Sequence, residues 1–387
     1  MSGACPCCEA PSPRALAPVR GVPVLCNVLH PTAAAARAAD VGDLELRFCD
    51  ACGHLWNAAF DPARVTYDAE YENSLHYSPR FQAYARALAA ELVERHGLRG
   101  GTVVEIACGK GDFLGLLREA GAARAVGFDP SFEPERHGET AGVEVRRELF
   151  TADTAEALSC DLLCCRHALE HVADPVAFLR LIHDALAGSP DAPVYIEVPN
   201  GLWTVRDLGV WDLIYEHPQY FSARSLALAM ARAGYAGVAV AEAFGGQFLG
   251  CGARRTAGPA AAPRVTLEDP AALGVGFDAA ARDRRNVWAA RLETWRREGR
   301  RAVLWGAGSK GVTFLNVLGA GDEVAGVVDI NPHKQGRFVP GTGHAVLAPD
   351  RLAELAPETV VVMNPLYRDE IAADLSARGV AAEVLAV

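Results

Sequence analysis

"VVEIACGKGDFL" (residues 103–114) is the stretch that decides how the rest of the chain is read. An apolar run ends at Glu105, and Gly109 and Gly111 follow before apolar residues resume. A strand that breaks into two glycines lets a ligand come close to the backbone at the mouth of a sheet. The pattern E-x-A-C-G-x-G lacks the third glycine of a dinucleotide fingerprint and has no evident helix N-terminus aimed at a pyrophosphate. An acidic strand end repels phosphate and suits a ligand that carries an ammonium and a sulfonium. The next strand, "RAVGFDP" (124–130), ends in Asp129 beside Pro130, a carboxylate placed to accept both hydroxyls of a ribose. These features point to S-adenosylmethionine (SAM) rather than to a nicotinamide dinucleotide.

Outward from this turn, apolar strands alternate with helical segments. "DLLCCRH" (161–167) and "VYIEVPN" (194–200) read as further strands, and "DPVAFLRLIHDAL" (174–186) between them as a helix with Asp174 as its cap. "SPRFQAYARALAAELVERHG" (78–97) precedes the first strand, with Ser78 capping, Pro79 in the first helical position and Gly97 as a stop. Helices are also predicted over 222–234 and around 278–298. "FGGQFLGCGARR" (244–255) reads as a strand pair, and residues 250–270, rich in Pro and Ala, read as a linker. A second alternation then begins with "RAVLWGAGSKG" (301–311) and continues through "VAGVVDINP" (324–332), "TVVVMNP" (359–365) and "AAEVLAV" (381–387). Strand–helix alternation implies doubly wound sheets with ligands at the carboxyl ends of the strands. The expected fold class is therefore α/β, with a Rossmann-like SAM unit and a second, C-terminal Rossmann-like unit.

The N-terminal region is different. Five of eleven cysteines (Cys5, Cys7, Cys8, Cys49 and Cys52) fall within the first 52 residues, and an odd total argues against a disulfide framework. Cys5-x-x-Cys8 and Cys49-x-x-Cys52 form two knuckles whose thiolates can face one tetrahedral ion, with Cys7 as the alternative to Cys8. Four thiolates leave no open position, so a Zn²⁺ here is expected to be structural. Boundaries are placed at 1–66 for the zinc cap, 67–258 for the SAM unit and 259–387 for the C-terminal unit. With 37 basic and 48 acidic residues the net charge is −11, and no basic block suggests nucleic acid or an anionic membrane as partner. No apolar run approaches the roughly 20 residues of a membrane span, and no export signal is evident, so the expectation is a cytoplasmic protein. Its oligomeric state is not readable.

Glu105 to Gly111, Asp129 and "CRHALEHVADP" (165–175) together resemble a class I SAM-dependent methyltransferase, with Ala107 in place of the usual first glycine. That resemblance implies a cofactor site built from Glu105, Ala107, Gly109, Gly111, Asp129, Pro130, Arg166 and His167. The second turn, Gly306-x-Gly308-x-x-Gly311 with Asp329 closing the next strand, has full dinucleotide spacing. Ser309 and Lys310, with His333, Lys334 and Arg337 nearby, suit the phosphates of another ligand. Close strand–helix packing and a nicotinamide cofactor are the other readings of this turn. The whole layout resembles three-part C-methyltransferases that act on nucleotide-linked sugars, a family in which the cap binds zinc and the last unit helps hold the nucleotide sugar. The family reaction methylates C3 of a 4-keto-deoxysugar.

"DLIYEHPQYFS" (212–222) supplies three adjacent ionisable groups after the last parallel strand. Removing a proton beside a ketone needs a positioned base and a donor for the enolate oxygen. His217 is the expected base, because an unperturbed imidazole titrates near neutrality, with Glu216 orienting it and Tyr215 donating to the enolate. An ordinary solvated turn leading to the helix capped by Ser222 is the bland alternative. The family's segment reads Tyr-His-Glu-His, and here Ile214 and Tyr215 stand in the first two places. Tyr71, in a segment expected to fold over SAM, and Asn200, at the end of a strand, are further candidates for substrate contact, as are Ser309 and Lys310. Methyl transfer to an oxygen, nitrogen or carbon of a non-sugar compound, an NAD-dependent oxidoreductase on the C-terminal turn, and a non-catalytic SAM-binding module are the competing functions.

Overall fold

The computed structural model describes residues 3–68, 70–134, 141–155, 159–257, 265 and 270–387. The cap contributes β1 (Arg14–Ala15), β2 (Val19–Pro23), β3 (Val41–Leu44), β4 (Leu46–Phe48) and β5 (Leu55–Asn57). β2 and β3 form a separate antiparallel pair, while β4 lies between β1 and β5. Cys5, Cys8, Cys49 and Cys52 converge at one end of the cap, with Cys5–Cys52 and Cys8–Cys49 sulfurs each 3.6 Å apart. Tetrahedral zinc with Zn–S bonds of about 2.3 Å sets a sulfur–sulfur edge of about 3.8 Å, so these side chains fit the ion with almost no movement. Cys7, also buried, is outside the cluster.

The SAM unit contains β6 (Thr102–Ile106), β7 (Arg124–Phe128), β8 (Val143–Arg146), β9 (Leu162–Arg166) and β10 (Pro193–Pro199), all parallel. Next come β11 (Gln219–Tyr220), β12 (Tyr235–Ala243) and β13 (Phe248–Arg255). The seven-stranded sheet runs β12-β13-β10-β9-β6-β7-β8, with β13 antiparallel to β10 and to β12. Residues 250–255 are therefore strand rather than linker; the stretches 258–264 and 266–269 of the expected linker lie outside the described residues. Glycine at 250 belongs to the packing, since a Cβ there would stand 2.6 Å from the Tyr195 hydroxyl. The helix caps follow the sequence. Ser78 accepts from the Phe81 amide and Asp174 from that of Ala177, and Ser222 forms a capping box with Ser225.

β11 leaves this sheet altogether and pairs with β5 of the cap. The Asn57 amide also donates to the Pro218 carbonyl at 2.9 Å. Residues 213–220 are thus stitched into the cap's edge, and Ser222 donates to the Cys52 carbonyl at 2.6 Å. The segment that carries His217 is tied to the same cap that holds the four cysteines.

The C-terminal unit is reached through a long helix, Pro270–Glu298, which starts earlier than the predicted 278 and buries Phe277, Trp288, Leu292 and Trp295. Its sheet holds β14 (Ala302–Trp305), β15 (Val324–Val328), β16 (Val346–Leu347), β17 (Thr359–Val362) and β18 (Glu383–Ala386), in the order β16-β15-β14-β17-β18 and parallel throughout. Both parallel sheets reverse their strand order beside their first strand, which places a crevice after β6 and another after β14. Those crevices open toward each other. Gln247 and Asn364 exchange reciprocal amide hydrogen bonds of 2.7 and 2.9 Å across the gap. Trp211 packs edge-on against Phe314, with ring centroids 4.9 Å apart. No helix among the described residues is long and apolar enough to cross a membrane.

Candidate active site

A cavity of about 610 Å³ lies between the two sheets, lined by the turns after β6, β7, β9 and β10 on one side and after β14, β15 and β17 on the other. The two glycine turns that stood 200 residues apart in sequence therefore face one space.

On the SAM side, Ala107 and Gly109 both adopt left-handed backbone conformations (φ +56° for each). An alanine there costs about 1–2 kcal/mol, which is the physical reason a glycine is usual at that position. The Glu105 carboxylate is 3% exposed; burial pushes it up to about 8, against the pull of Arg166 at 3.8 Å. Its Oε2 has no hydrogen-bond partner among the described residues. A buried, unsatisfied carboxylate oxygen on a cavity wall is what a ligand ammonium would satisfy, so the chain's residues fit SAM. Asp129 accepts from the Gly109 amide at 2.8 Å and from the Ser131 amide and hydroxyl, which fixes its carboxylate at the turn's edge; Pro130 lines the cavity beside it.

Arg166 is buried and works mainly inside the protein. It donates to Glu197 Oε1 from Nε at 3.1 Å and Nη2 at 2.8 Å, and its guanidinium lies over the Phe113 ring. Burial opposes ionisation of Glu197, but Arg166 and His167 outweigh it and hold the carboxylate well below its ordinary range. Tyr84 and Tyr195 hydroxyls donate to its other oxygen. His167, at φ +52°, packs on Phe248 and lines the cavity with Arg166.

The three ionisable residues of 215–217 part company. Tyr215 is 1% exposed and turns into the cap, where its hydroxyl accepts from the Asp61 amide at 3.0 Å and its ring packs on Phe60. It does not line the cavity, so the expected donation to an enolate has no geometric basis. Ile214 also points into the cap core, which leaves the departure from the Tyr-His pattern outside the cavity wall. The Glu216 side chain is fully buried behind that wall, its Oε1 accepting from the Cys26 amide at 3.2 Å and the Asn27 amide group at 3.4 Å, and burial pushes it up to about 7. It makes no hydrogen bond to His217. Its backbone carbonyl instead faces His171 Nδ1 at 2.8 Å.

His217 does line the cavity, half-buried, edge-on to His171 with ring centroids 4.5 Å apart. Burial, then His171 and Lys310, hold its pKa well below the ordinary value, which favours the unprotonated imidazole and weakens its hold on a proton. Glu170 and His171 sit against His217. Tyr67, whose hydroxyl is 2.6 Å from His171 Nδ1, had no sequence signal. Tyr71 lines the cavity, its hydroxyl accepting weakly from Asn27 at 3.4 Å. Asn200 caps the helix of residues 201–205 and donates to the Gly246 carbonyl at 2.8 Å, so most of its capacity is structural.

On the opposite wall, Ser309 and Lys310 begin a ten-residue helix whose cap position, Gly308, supplies no side-chain hydrogen bond. Lys310 pairs with Asp212. Lys334 is only 5% exposed, donates to the Ala307 carbonyl at 3.2 Å and has no carboxylate within ion-pair distance among the described residues. Asp329 accepts from the Ala307 amide at 2.7 Å and from the Asn331 amide at 2.8 Å. Gly311 serves packing, since a Cβ there would fall 2.2 Å from the Gly306 carbonyl oxygen. Glu72, from the segment before the first helix, accepts from Asn331 at 3.0 Å and ties that segment to this wall.

Residues 80–240 match the family described as a methyltransferase domain, and residues 266–382 match the C-methyltransferase C-terminal domain. Among curated proteins, the C-methyltransferase NovU of Streptomyces niveus is 28% identical over 311 residues, covering 74% of this chain and 72% of that protein. The ubiquinone biosynthesis O-methyltransferase of Pseudomonas paraeruginosa is 32% identical over 114 residues, 28% of this chain and 48% of its own length. Among solved structures, the N,N-8-amino-8-demethyl-D-riboflavin dimethyltransferase of Streptomyces davawensis aligns over 45% of this chain and 54% of its own, at 23% identity and a TM-score of 0.37.

Proposed function

We propose that this SAM-dependent C-methyltransferase methylates a carbon beside a ketone in a nucleotide-linked keto-deoxysugar, with His217 as the base that removes the α-proton. The observation that carries the reading is the shared cavity: a cation-seeking carboxylate, Glu105, on one wall, a basic glycine turn on the other, and a neutral imidazole lining the same space. A sugar diphosphate matches the second wall. The amides at the start of the 309–318 helix, the Ser309 hydroxyl and the Lys310 and Lys334 ammoniums all suit phosphate oxygens. Asp212 would release Lys310 to the anion as it binds.

SAM, when bound, supplies an electrophilic methyl group. The rest falls to the chain. His217 accepts the proton from the α-carbon. The cavity would hold that carbon in line with the methyl group, and the Tyr71 hydroxyl, on the same cavity wall, is the proposed donor to the developing enolate oxygen. Glu216 acts from behind, fixing the Cys26 and Asn27 backbone and side chain and, through its carbonyl, His171. In this division of labour residues 1–66 form a zinc cap that positions 213–220, residues 67–258 hold SAM, and residues 259–387 hold the nucleotide.

The test is exchange. The enzyme is incubated in heavy water with nucleotide 4-ketosugars, with and without SAM, and deuterium at the α-carbon is followed by mass spectrometry. Exchange that persists without SAM and disappears in His217→Ala is expected. Methyl transfer to oxygen or nitrogen with no carbon exchange would overturn the reading.

A further inference from the structure

Beside the proposed base stand two groups that deprotonation of a ketone does not require. One ligand atom from each of Glu170, His171 and His217 lies within 4.8 Å of the other two. Glu170 is 2% exposed, and its Oε2 has no hydrogen-bond partner among the described residues. His167 Nδ1, at 3.8 Å from the other oxygen, is the cation-forming group nearest to it. His171 is held by its Nδ1 edge, 2.8 Å from the Glu216 carbonyl and 2.6 Å from the Tyr67 hydroxyl. A carbonyl can only accept, so the proton belongs on Nδ1 and the lone pair on Nε2. An imidazole whose far nitrogen donates to a backbone carbonyl is the arrangement that orients metal-ligating histidines.

We propose that Glu170, His171 and His217 form a binding site for a borderline divalent transition ion such as Ni²⁺, Co²⁺ or Zn²⁺, and that an ion held there excludes the keto acceptor from the cavity. Two imidazoles and one carboxylate are a donor set for these ions rather than for Mg²⁺ or Ca²⁺, which prefer all-oxygen ligands. Ligand atoms of such an ion, bonded at about 2.0–2.1 Å, stand nearer together than the present spacing. In a tetrahedral shell those atoms stand about 3.3 Å apart, so from a spacing of up to 4.8 Å the trio contracts by up to about 1.5 Å, and the His217 ring, which faces the cavity without a protein hydrogen bond among the described residues, can move to allow it. Three protein ligands leave further coordination positions open to the cavity, where water would complete the shell and occupy the space of the acceptor. Binding itself is independent of the proposed reaction. Only the inhibition rests on that reading, because it takes His217 out of service as a base.

The experiment uses full-length protein with its cysteine cluster loaded with zinc. Ni²⁺ is titrated calorimetrically, and Co²⁺ by visible absorption, where nitrogen and oxygen ligands give weak d–d bands without the strong sulfur-to-cobalt charge transfer of a cysteine site. One further ion per chain is expected, with Mg²⁺ giving none. Glu170→Gln and His217→Ala should each weaken binding by about tenfold or more, with unchanged melting temperature confirming that both variants fold. Ni²⁺ should inhibit methyl transfer competitively with the acceptor, and a chelator should reverse it. No uptake beyond the cysteine cluster, or uptake that both variants leave unchanged, overturns the proposal. Ion binding that follows the variants in a protein inactive on every ketosugar leaves the site standing and removes the substrate reading instead.

Discussion

Replacing Lys334 by methionine should stabilise the empty protein while weakening its hold on a nucleoside diphosphate. The ammonium is 5% exposed, makes one hydrogen bond to a backbone carbonyl and has no carboxylate within 4.0 Å among the described residues. Burying a cation on such terms costs several kcal/mol before relaxation, and methionine fills most of the same volume without a charge. Against this stand the lost hydrogen bond, worth about 1 kcal/mol, and a modest electrostatic link to Glu216, whose pKa Lys334 lowers. The balance favours the variant by about 1–2 kcal/mol, a rise of about 2–8 °C in the melting temperature of the unit that unfolds. Ligand binding moves the other way. A charge-assisted hydrogen bond to phosphate contributes about 1.5–3 kcal/mol, so the dissociation constant of a nucleoside diphosphate should rise about ten- to hundredfold. Thermal melts in the absence of nucleotide and calorimetric titration with UDP and dTDP read the two effects separately. A variant that melts well below the parent and binds nucleotide equally well would show that Lys334 is a structural cation, and the argument for the phosphate wall would fail with it.

Three further expectations follow from the same geometry. His217→Ala should lower kcat by about 10²–10⁴-fold, whereas Tyr215→Phe should keep kcat within about twofold and lose only about 0.5–1.5 kcal/mol of stability with its hydrogen bond from Asp61; steady-state kinetics and denaturant unfolding compare them, and equal kinetic losses would contradict the placement of Tyr215 in the cap. Burial holds Glu105 at about 8 in the empty site, and a bound ammonium and sulfonium must pull it back down. SAM affinity should therefore rise with pH toward about 8, and binding near pH 7 should release a proton. Calorimetry in buffers of different ionisation enthalpy detects this, and a pH-independent affinity equal to that of Glu105→Gln would refute it. Stripping metal from the cysteine cluster should lower activity even though no cysteine of that cluster lines the cavity, because β11 is paired to the cap. Zinc content, melting temperature and kcat measured before and after chelation follow the effect, and full activity in the stripped protein would separate the cap from the site.

What could be read from the sequence was whatever is local. The capped helices and the two cysteine knuckles each depend on neighbours a few residues away and stand where their patterns placed them; the turn of 105–111 does too, except that a helix, Asp112–Ala120, starts directly after Gly111, where the sequence offered no evident helix N-terminus. The fate of Tyr215 depends on something else, the pairing of β11 with β5, whose residues lie more than 160 positions apart. That pairing bears on which of the three ionisable side chains of 215–217 meets the cavity, and nothing within 212–222 encodes it. The same holds for Asn27, Tyr67 and Glu72, which reach the site from the cap and the segment behind it and belong to no spacing motif. Glu170 and His171 were visible as letters, but their nearness to His217 depends on the left-handed turn at His167 and on the Glu216 carbonyl.

The opposed crevices explain why a second glycine turn was hard to assign. Taken alone, its spacing argues for a dinucleotide; set against β6 across a common cavity, it becomes the other half of one site. A methyl donor and a methyl acceptor must approach along a single line at the moment of transfer, and two Rossmann-like sheets with facing carboxyl ends provide a separate seat for each. Joints across the gap include Gln247 with Asn364, Glu72 with Asn331, Ser78 with Glu370, Lys310 with Asp212, and Trp211 against Phe314. Beneath these contacts one apolar cluster runs from the cap through Trp211 and Ile214 to Leu304, Phe314 and Leu315, so parting the two sheets would expose apolar surface as well as break polar pairs, and the two crevices are held in register.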